Sequence, residues 1–541
     1  MRNFANKFLL LIIAFVVCWG QTGAVCVVAP LSLLAEDSVS TKTYYFDQYN
    51  QNTPTSQSLY QALGVSAYND YLATVQAAQG LEEVVIAVVD SGLNPAHPVF
   101  ANRILTEYGF NFSQGVSEDS EYIDDWNQDY NGHGTHVAGI IADMTLPNVK
   151  ILPLKIFQGF ENVTNGHAYE NAIRYIYALK NGTMEYLLDE EGKLSYECNT
   201  QKKKLNIVAA NLSLGTDGFR VNNKEDMASF NRLKYGYKEN NKTYYGHQRL
   251  IDQLIKSDVM PIVAAGNYNT EYERRTQPCY YTVPGSCDGV LAVAAYENTG
   301  AKYERAKFSY WNNFVSISAP GENIWSACSQ QIFDLFTNAE IGSNAGQFDV
   351  VQDNGEYKLY QNYKFNIPGE NKLGKLSWIV RQDEYGNWCY RTNGTSMATP
   401  FVTACYAMLI SDTSKTTAED YGLPAWDDAE GATDEFFMNP AHKALLAAAA
   451  TNGDQGTKGY DYHFGYGVLS LQSFATAEVS GLNVIKYEIK PADTAYLETG
   501  PSDTDWYEIC VILFIGGILV WGFSYFKSYW DRRNIHDKEP E

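Results

Sequence analysis

Three apolar runs separated by amphipathic stretches set the rhythm of the middle of the chain. "VVIAVVD" at 84–90, "LNIVAANLSLG" at 205–215 and "VMPIVAAGN" at 259–267 are β-rich and almost uninterrupted, and each ends in polar residues or glycine. Continuous apolarity over so few residues predicts strands covered on both faces, the habit of parallel sheets. Between them Ala168, Ala172, Ile173, Ile176 and Leu179 fall on one helical face, as do Leu250, Ile251, Leu254 and Ile255. Strands alternating with such helices predict an α/β fold with a mostly parallel central sheet. Sites in these sheets gather at the carboxyl ends of strands, where Asp90 and Asn267 stand.

The rhythm is broken at about 181–204, 216–246 and 329–388, all polar and read as surface insertions. From Ser396 to Ile410 the chain is apolar enough for a buried helix, and "RTNGTSMATP" (391–400) leads into it. Thr392, Thr395 and Ser396 surround Gly394 there. Hydroxyls at a helix start can satisfy free backbone N–H groups, and Pro400 is tolerated in a first turn. The alternative is a nucleophile held at the helix N-terminus, which needs a base and an acid from elsewhere in the chain.

Both ends carry apolar segments of another kind. Residues 1–24 run from Arg2 and Lys7 through "FLLLIIAFVV" to "QTGA", the layout of a secretory signal peptide. "ICVILFIGGILVWGFSYF" (509–526) has no charge, is flanked by Trp506, Tyr507, Tyr529 and Trp530, and is followed by Lys527, Arg532 and Arg533. A C-terminal transmembrane helix over 506–526 is expected, with the body extracellular, a spacer at 476–505 and a cytoplasmic tail at 527–541. This describes a single-pass protein of the cell membrane.

A net charge of −23 and a pI near 4.8 exclude nucleic acid as the main partner, which would require basic stripes. Nine cysteines outside the cytosol imply disulfides. Cys279 and Cys287 bracket a turn-rich stretch, and Cys328 and Cys389 could close the 329–388 insertion at its base. Cys405 reads as a core thiol.

Candidate chemistry rests on four positions. Asp90 ends a strand in "VVDSGL"; His133, framed by Gly132 and Gly134 in "NGHGTHVAGII" (131–141), opens a helix; Asn267 closes "VAAGN"; Ser396 lies in "NGTSMATP". His136 reads as a packed neighbour of His133. The five motifs "VVDSGL", "NGHGTHVAG", "NLSLG", "VAAGN" and "NGTSMATP", in this order, resemble the subtilisin-like serine proteases, the subtilases, over about residues 60–475. The resemblance implies a subtilisin-like three-layer fold and an endopeptidase whose triad is Asp90, His133 and Ser396. It implies an oxyanion hole of the Asn267 amide and the Ser396 N–H. Ser213, Leu214 and Gly215 would receive an extended peptide substrate as an added strand, with Ala265 and Gly266 bordering the first specificity pocket.

No cofactor is required by this chemistry and no metal site is predicted. The acidic stretch 118–129 reads as a solvated face, with selection of basic substrate residues by Asp124 or Asp125, or a calcium loop, as alternatives. Residues 25–59 are short for the propeptide usual in secreted subtilases, and are expected either to be trimmed or to wrap the catalytic body. Signal segment, short extension, body and C-terminal helix together resemble the mycosins, membrane-anchored proteases of type VII secretion systems, which adds a secretion system to the expected partners beside a protein or peptide substrate. The tyrosine-rich insertions keep open an adhesive or scaffold ectodomain with little or no proteolysis.

Overall fold

The computed structural model describes residues 42–472 except 43, 53–56, 114–124, 159–166, 184, 189–192, 199–203, 240–241, 269, 299–302, 333–347, 354–355, 362–374, 384, 418, 422–438, 453–454 and 456–459. The expected signal peptide, the linker, the 506–526 apolar run and the tail lie outside the described residues. Among the described residues no helix is long and apolar enough to cross a membrane.

The central sheet is built from β1 (Val84–Asp90), β2 (Val149–Lys155), β3 (Ile207–Leu212), β4 (Met260–Ala264), β5 (Leu291–Asn298) and β6 (Val315–Pro320). Across the sheet the order is β5, β4, β3, β1, β2, with β6 also parallel to β5. A two-residue strand, Phe110–Asn111, lies parallel beyond β2, and Tyr303–Arg305 is antiparallel on β5. β1 and β2 stay in register from Val84↔Val149 to Asp90↔Lys155.

The unbroken apolarity of β1 has a simple origin. Successive strand side chains alternate between faces, so Val84, Ile86 and Val88 enter one core and Val85, Ala87 and Val89 the other. The first core is covered by α2 (His133–Met144) and α5 (Thr395–Ser411), through Val137, Ile141, Phe401 and Val402. The second is covered by α3 (Ala168–Asn181) and α4 (Gln248–Ile255), through Ala172, Ile176, Ile251 and Leu254. Helices on both faces of the sheet make the three layers, and each fully buried Val, Leu, Ile or Phe contributes about 1.5–3 kcal/mol.

The segment before the body is part of it. Phe46, Leu59 and Tyr60 are buried in the first core, next to α1 (Val65–Ala78), which buries Tyr68 and Leu72 there. The Tyr45 and Phe46 N–H groups donate to the Asp143 carboxylate at 2.7 and 3.0 Å, and the Tyr60 hydroxyl donates to it at 3.0 Å. Asn50 pairs both ways with the Trp325 backbone, accepting at 2.8 Å and donating at 3.0 Å. Residues 44–52 of the expected extension therefore wrap the body. At the far end, the Leu471 N–H donates to the Leu63 carbonyl at 2.7 Å, as does the Gln472 side chain to the Ala62 carbonyl.

The three interruptions have regular structure. Residues 181–204 hold a hairpin, Glu185–Leu188 with Leu194–Cys198. Residues 216–246 hold the helix Lys224–Tyr235 and the hairpin Gly236–Glu239 with Lys242–Tyr245. The longest builds most of a five-stranded antiparallel sheet in the order β7 (Ile324–Ala327), β11 (Trp388–Thr392), β10 (Lys375–Gln382), β9 (Glu356–Gln361), β8 (Phe348–Asp353). Arg381 of β10 fastens it to the wrapped segment, its guanidinium 3.6 Å from the Tyr49 ring centre and 4.2 Å from that of Trp325.

The expected disulfides are not present: Cys279, Cys287, Cys328 and Cys389 are free thiols, as is Cys405. Register explains the second pair. Ala327, not Cys328, lies opposite Cys389, so Cys389 points into the first core while Cys328 packs with Ile332, Val380 and Tyr390 on the other face. In the first pair Cys287 is buried beside Tyr169, whereas Cys279 sits with Tyr281 toward Arg220. The Cys405 thiol is buried in α5, as the sequence pattern predicts, and its pKa is pushed up by that burial.

Candidate active site

The parallel register delivers Asp90 to the carboxyl end of β1, and α2 begins opposite it. Two glycines make that meeting possible. Gly132, the N-cap of α2, has φ 78°, a left-handed conformation that glycine adopts without strain. Gly134 faces the strand end so closely that a Cβ there would collide with the Gly92 carbonyl and lie 3.2 Å from the Asp90 carboxylate. With no side chain in the way, His133 turns its Nδ1 to Asp90 Oδ1 at 2.7 Å. Asp90 is buried and its Oδ1 also accepts the Ser91 N–H at 2.7 Å, while the imidazole keeps 28% of its side chain exposed. Burial opposes charge on the ring, but the Asp90 charge and hydrogen bond, with Asp129 behind, outweigh it and raise the His133 pKa above 6.5.

His136, one turn on, is fully buried, with Nε2 3.1 Å from the Ile324 carbonyl and its ring edge-on to Tyr390 at 4.5 Å. Burial lowers its pKa to about 3, so it is a neutral packed neighbour.

A second group assembles where α5 starts beyond β3 and β4. The Ser396 hydroxyl donates to the Ser213 carbonyl at 3.2 Å, and the Ser213 hydroxyl donates to the Ser396 carbonyl at 2.8 Å. Asn211 and Thr403 extend this network through the body of the helix. Asn267 accepts two hydrogen bonds on Oδ1, from the Thr395 N–H at 2.9 Å and the Thr395 hydroxyl at 3.1 Å. Those two donors fix the amide's orientation and leave Nδ2 as the outward donor, beside Gly394. Leu214 is half-buried and Gly215 exposed, so this edge is open to solvent; Ala265 and Gly266 continue β4 alongside it.

Two contributors were not legible as such in the sequence. Asp129 is buried and its carboxylate accepts from the Ser91 hydroxyl at 2.9 Å, the Gly132 N–H at 2.8 Å, and the Thr135 N–H and hydroxyl at 2.8 and 2.6 Å. It caps α2 in place of Gly132, which has no side chain to do so, and it holds Ser91, next to Asp90. Burial raises its pKa and the four donors pull it back, with burial prevailing. Its place at the end of an acidic run disguised it as solvated surface. Thr395 is buried and orients Asn267; in the sequence it read as one of three hydroxyls around Gly394 able to cap the helix start. Asp124 lies outside the described residues, and so does the side chain of Asp125. Among the described residues no three His, Cys, Asp or Glu side chains converge to hold a metal ion.

Residues 82–467 match the profile of the Subtilase family, well over half the chain. The chain belongs to this family. It is 24% identical over 270 residues to the major intracellular serine protease of Bacillus subtilis, covering 48% of this chain and 65% of that protein. It is 24% identical over 414 residues to fervidolysin of Fervidobacterium pennivorans, covering 71% of this chain and 45% of that protein. The match thus spans less than two thirds of either relative. The crystal structure of fervidolysin aligns with 80% of this subtilase and 47% of its own chain, at a TM-score of 0.42 and 21% identity.

Proposed function

We propose that this subtilase is a serine endopeptidase that cleaves proteins or peptides through an acyl-enzyme. The observation that carries the reading is the 2.7 Å pair between buried Asp90 and His133 Nδ1, which leaves Nε2 as the available base. Asp90 holds the imidazole in that tautomer and stabilises the imidazolium. Ser396 attacks the carbonyl as His133 takes its proton, after a rotation from its resting bond to Ser213; such bonds commonly tighten only with substrate in place. The oxyanion is received by Asn267 Nδ2, oriented by Thr395, and by the Ser396 N–H at the start of α5, where the helix dipole favours negative charge. His133 then protonates the leaving amine, and water releases the acyl group by the same route. The half-buried Leu214 and exposed Gly215 support substrate binding by strand addition at this edge.

The apolar run at 506–526 and the basic residues after it support a membrane-tethered enzyme whose body faces outward, acting on secreted or surface proteins. The overall layout supports a secretion system as a further partner. The first test treats the full chain with a fluorophosphonate probe beside a Ser396→Ala control. Labelling confined to the unsubstituted protein is expected; a folded protein that takes no label at Ser396 overturns the assignment.

A further inference from the structure

Which residue a protease accepts before the cut is decided by the space beside its nucleophile, and here a tyrosine ring stands next to that space. β3 and β4 pair up to Leu212↔Val263, then their continuations part, Ser213–Gly218 on one side and Ala265–Asn267 on the other. A carbonyl held between Ser396 and Asn267 points the side chain of its own residue into the gap between these two segments. Both walls carry glycine, at 215, 218 and 266, which would leave a deep slot.

The slot is filled from behind. The Tyr310 N–H donates to the Gly266 carbonyl at 2.9 Å, which brings its ring across the gap. A Cβ on Gly266 would strike that ring and lie 2.8 Å from the Thr282 methyl. On the opposite wall a Cβ on Gly218 would lie 2.5 Å from the Tyr310 hydroxyl oxygen and 2.7 Å from the Tyr280 ring. One phenol therefore reaches from wall to wall. It is held edge-on by Tyr280 at 5.1 Å and Tyr268 at 4.8 Å, and only 3% of it is exposed. Gly218 and Gly266 make room for the ring, not for substrate, while Gly215 faces Thr282.

We propose that Tyr310, backed by Tyr280 and Thr282, truncates the primary specificity slot, so that the enzyme cleaves after Gly, Ala or Ser and discriminates against large aromatic, aliphatic and basic residues. Among the described residues, the acid beside these rings is already engaged. Glu273, the nearby acid, accepts from the Tyr280 hydroxyl at 3.2 Å on one oxygen and from the Thr270 N–H at 2.9 Å on the other. Asp217 is exposed to solvent, which screens its charge.

The proposal rests on the protease reading, and the test separates the two. Full-length protein is titrated with a fluorophosphonate, whose reaction needs no substrate side chain, and then assayed on peptides varied only at the residue before the cut. The expected result is normal labelling, with kcat/KM for Ala at least about tenfold above that for Phe, Leu, Lys or Arg. Tyr310→Ala should raise Phe relative to Ala by about 10–100-fold. Tyr280→Ala, at a half-buried ring, should move the ratio the same way by less, and stands in should Tyr310→Ala fail to fold. Labelling together with a preference for Phe, Leu, Lys or Arg in the unsubstituted enzyme overturns the slot alone. No labelling overturns the protease reading and the slot with it.

Discussion

At the residue scale, Asp129 couples the geometry of the site to its titration. It holds Ser91 and the first turn of α2, and its charge adds to that of Asp90 in raising His133. A general base must be neutral to act, so kcat/KM should rise with pH through an apparent pKa above 6.5. Asp129→Asn should lower kcat/KM and shift that acid limb toward lower pH; an unmoved limb would leave Asp129 a purely structural cap. The sign for stability is opposite. A His whose folded pKa is raised contributes its stabilisation fully below the unfolded value near 6.5, and loses it as pH rises through the folded value. The pair is most stabilising where the enzyme is least active.

At the scale of elements, the wrapped N-terminal segment is a structural part of the first core. Phe46 is fully buried there, and Phe46→Ala should cost about 3–5 kcal/mol, read as a lowered denaturation midpoint with Ser396 labelling retained in the folded fraction. A near-neutral effect would mean the segment is an ornament on the body. Much at this scale was legible. The run at 84–90 became a strand over those residues because both faces are covered, and His133 opens its helix because glycines flank it. The nucleophile helix begins one residue before Ser396. What was not legible depends on non-local register. Cys328 and Cys389 are close along adjacent strands, yet one step of pairing puts them on opposite faces, and no spacing in the sequence reveals that step. The sheet formed by polar stretches was not legible because its buried positions among the described residues, such as Ile379, Val380, Cys389 and Tyr390, are interleaved with polar ones in the sequence.

At the scale of the molecule, the antiparallel sheet braces the site. Ile332 covers Gly132, which could not carry a Cβ within 2.6 Å of it, and the Tyr390 hydroxyl donates to the Gly132 carbonyl at 3.0 Å. β11 runs directly into Gly394 and α5. Removing the outer hairpin Phe348–Gln361 while keeping β10 should leave peptide hydrolysis within about threefold, less than ~1 kcal/mol in activation free energy. Removing β10 as well should reduce hydrolysis by more than tenfold, because β11 then keeps only β7 beside it and becomes an edge strand. Equal losses in the two variants would show that the whole sheet acts as one unit.

The pairing of Leu63 with Leu471 also sets a timetable. During synthesis the first of these residues leaves the ribosome long before the second, and Asn50 likewise waits for Trp325. Contacts this distant close late and slowly. A growing chain thus leaves Leu63 without this partner until residue 471 has emerged, and a product cut short before 471 lacks the clasp that finishes the body.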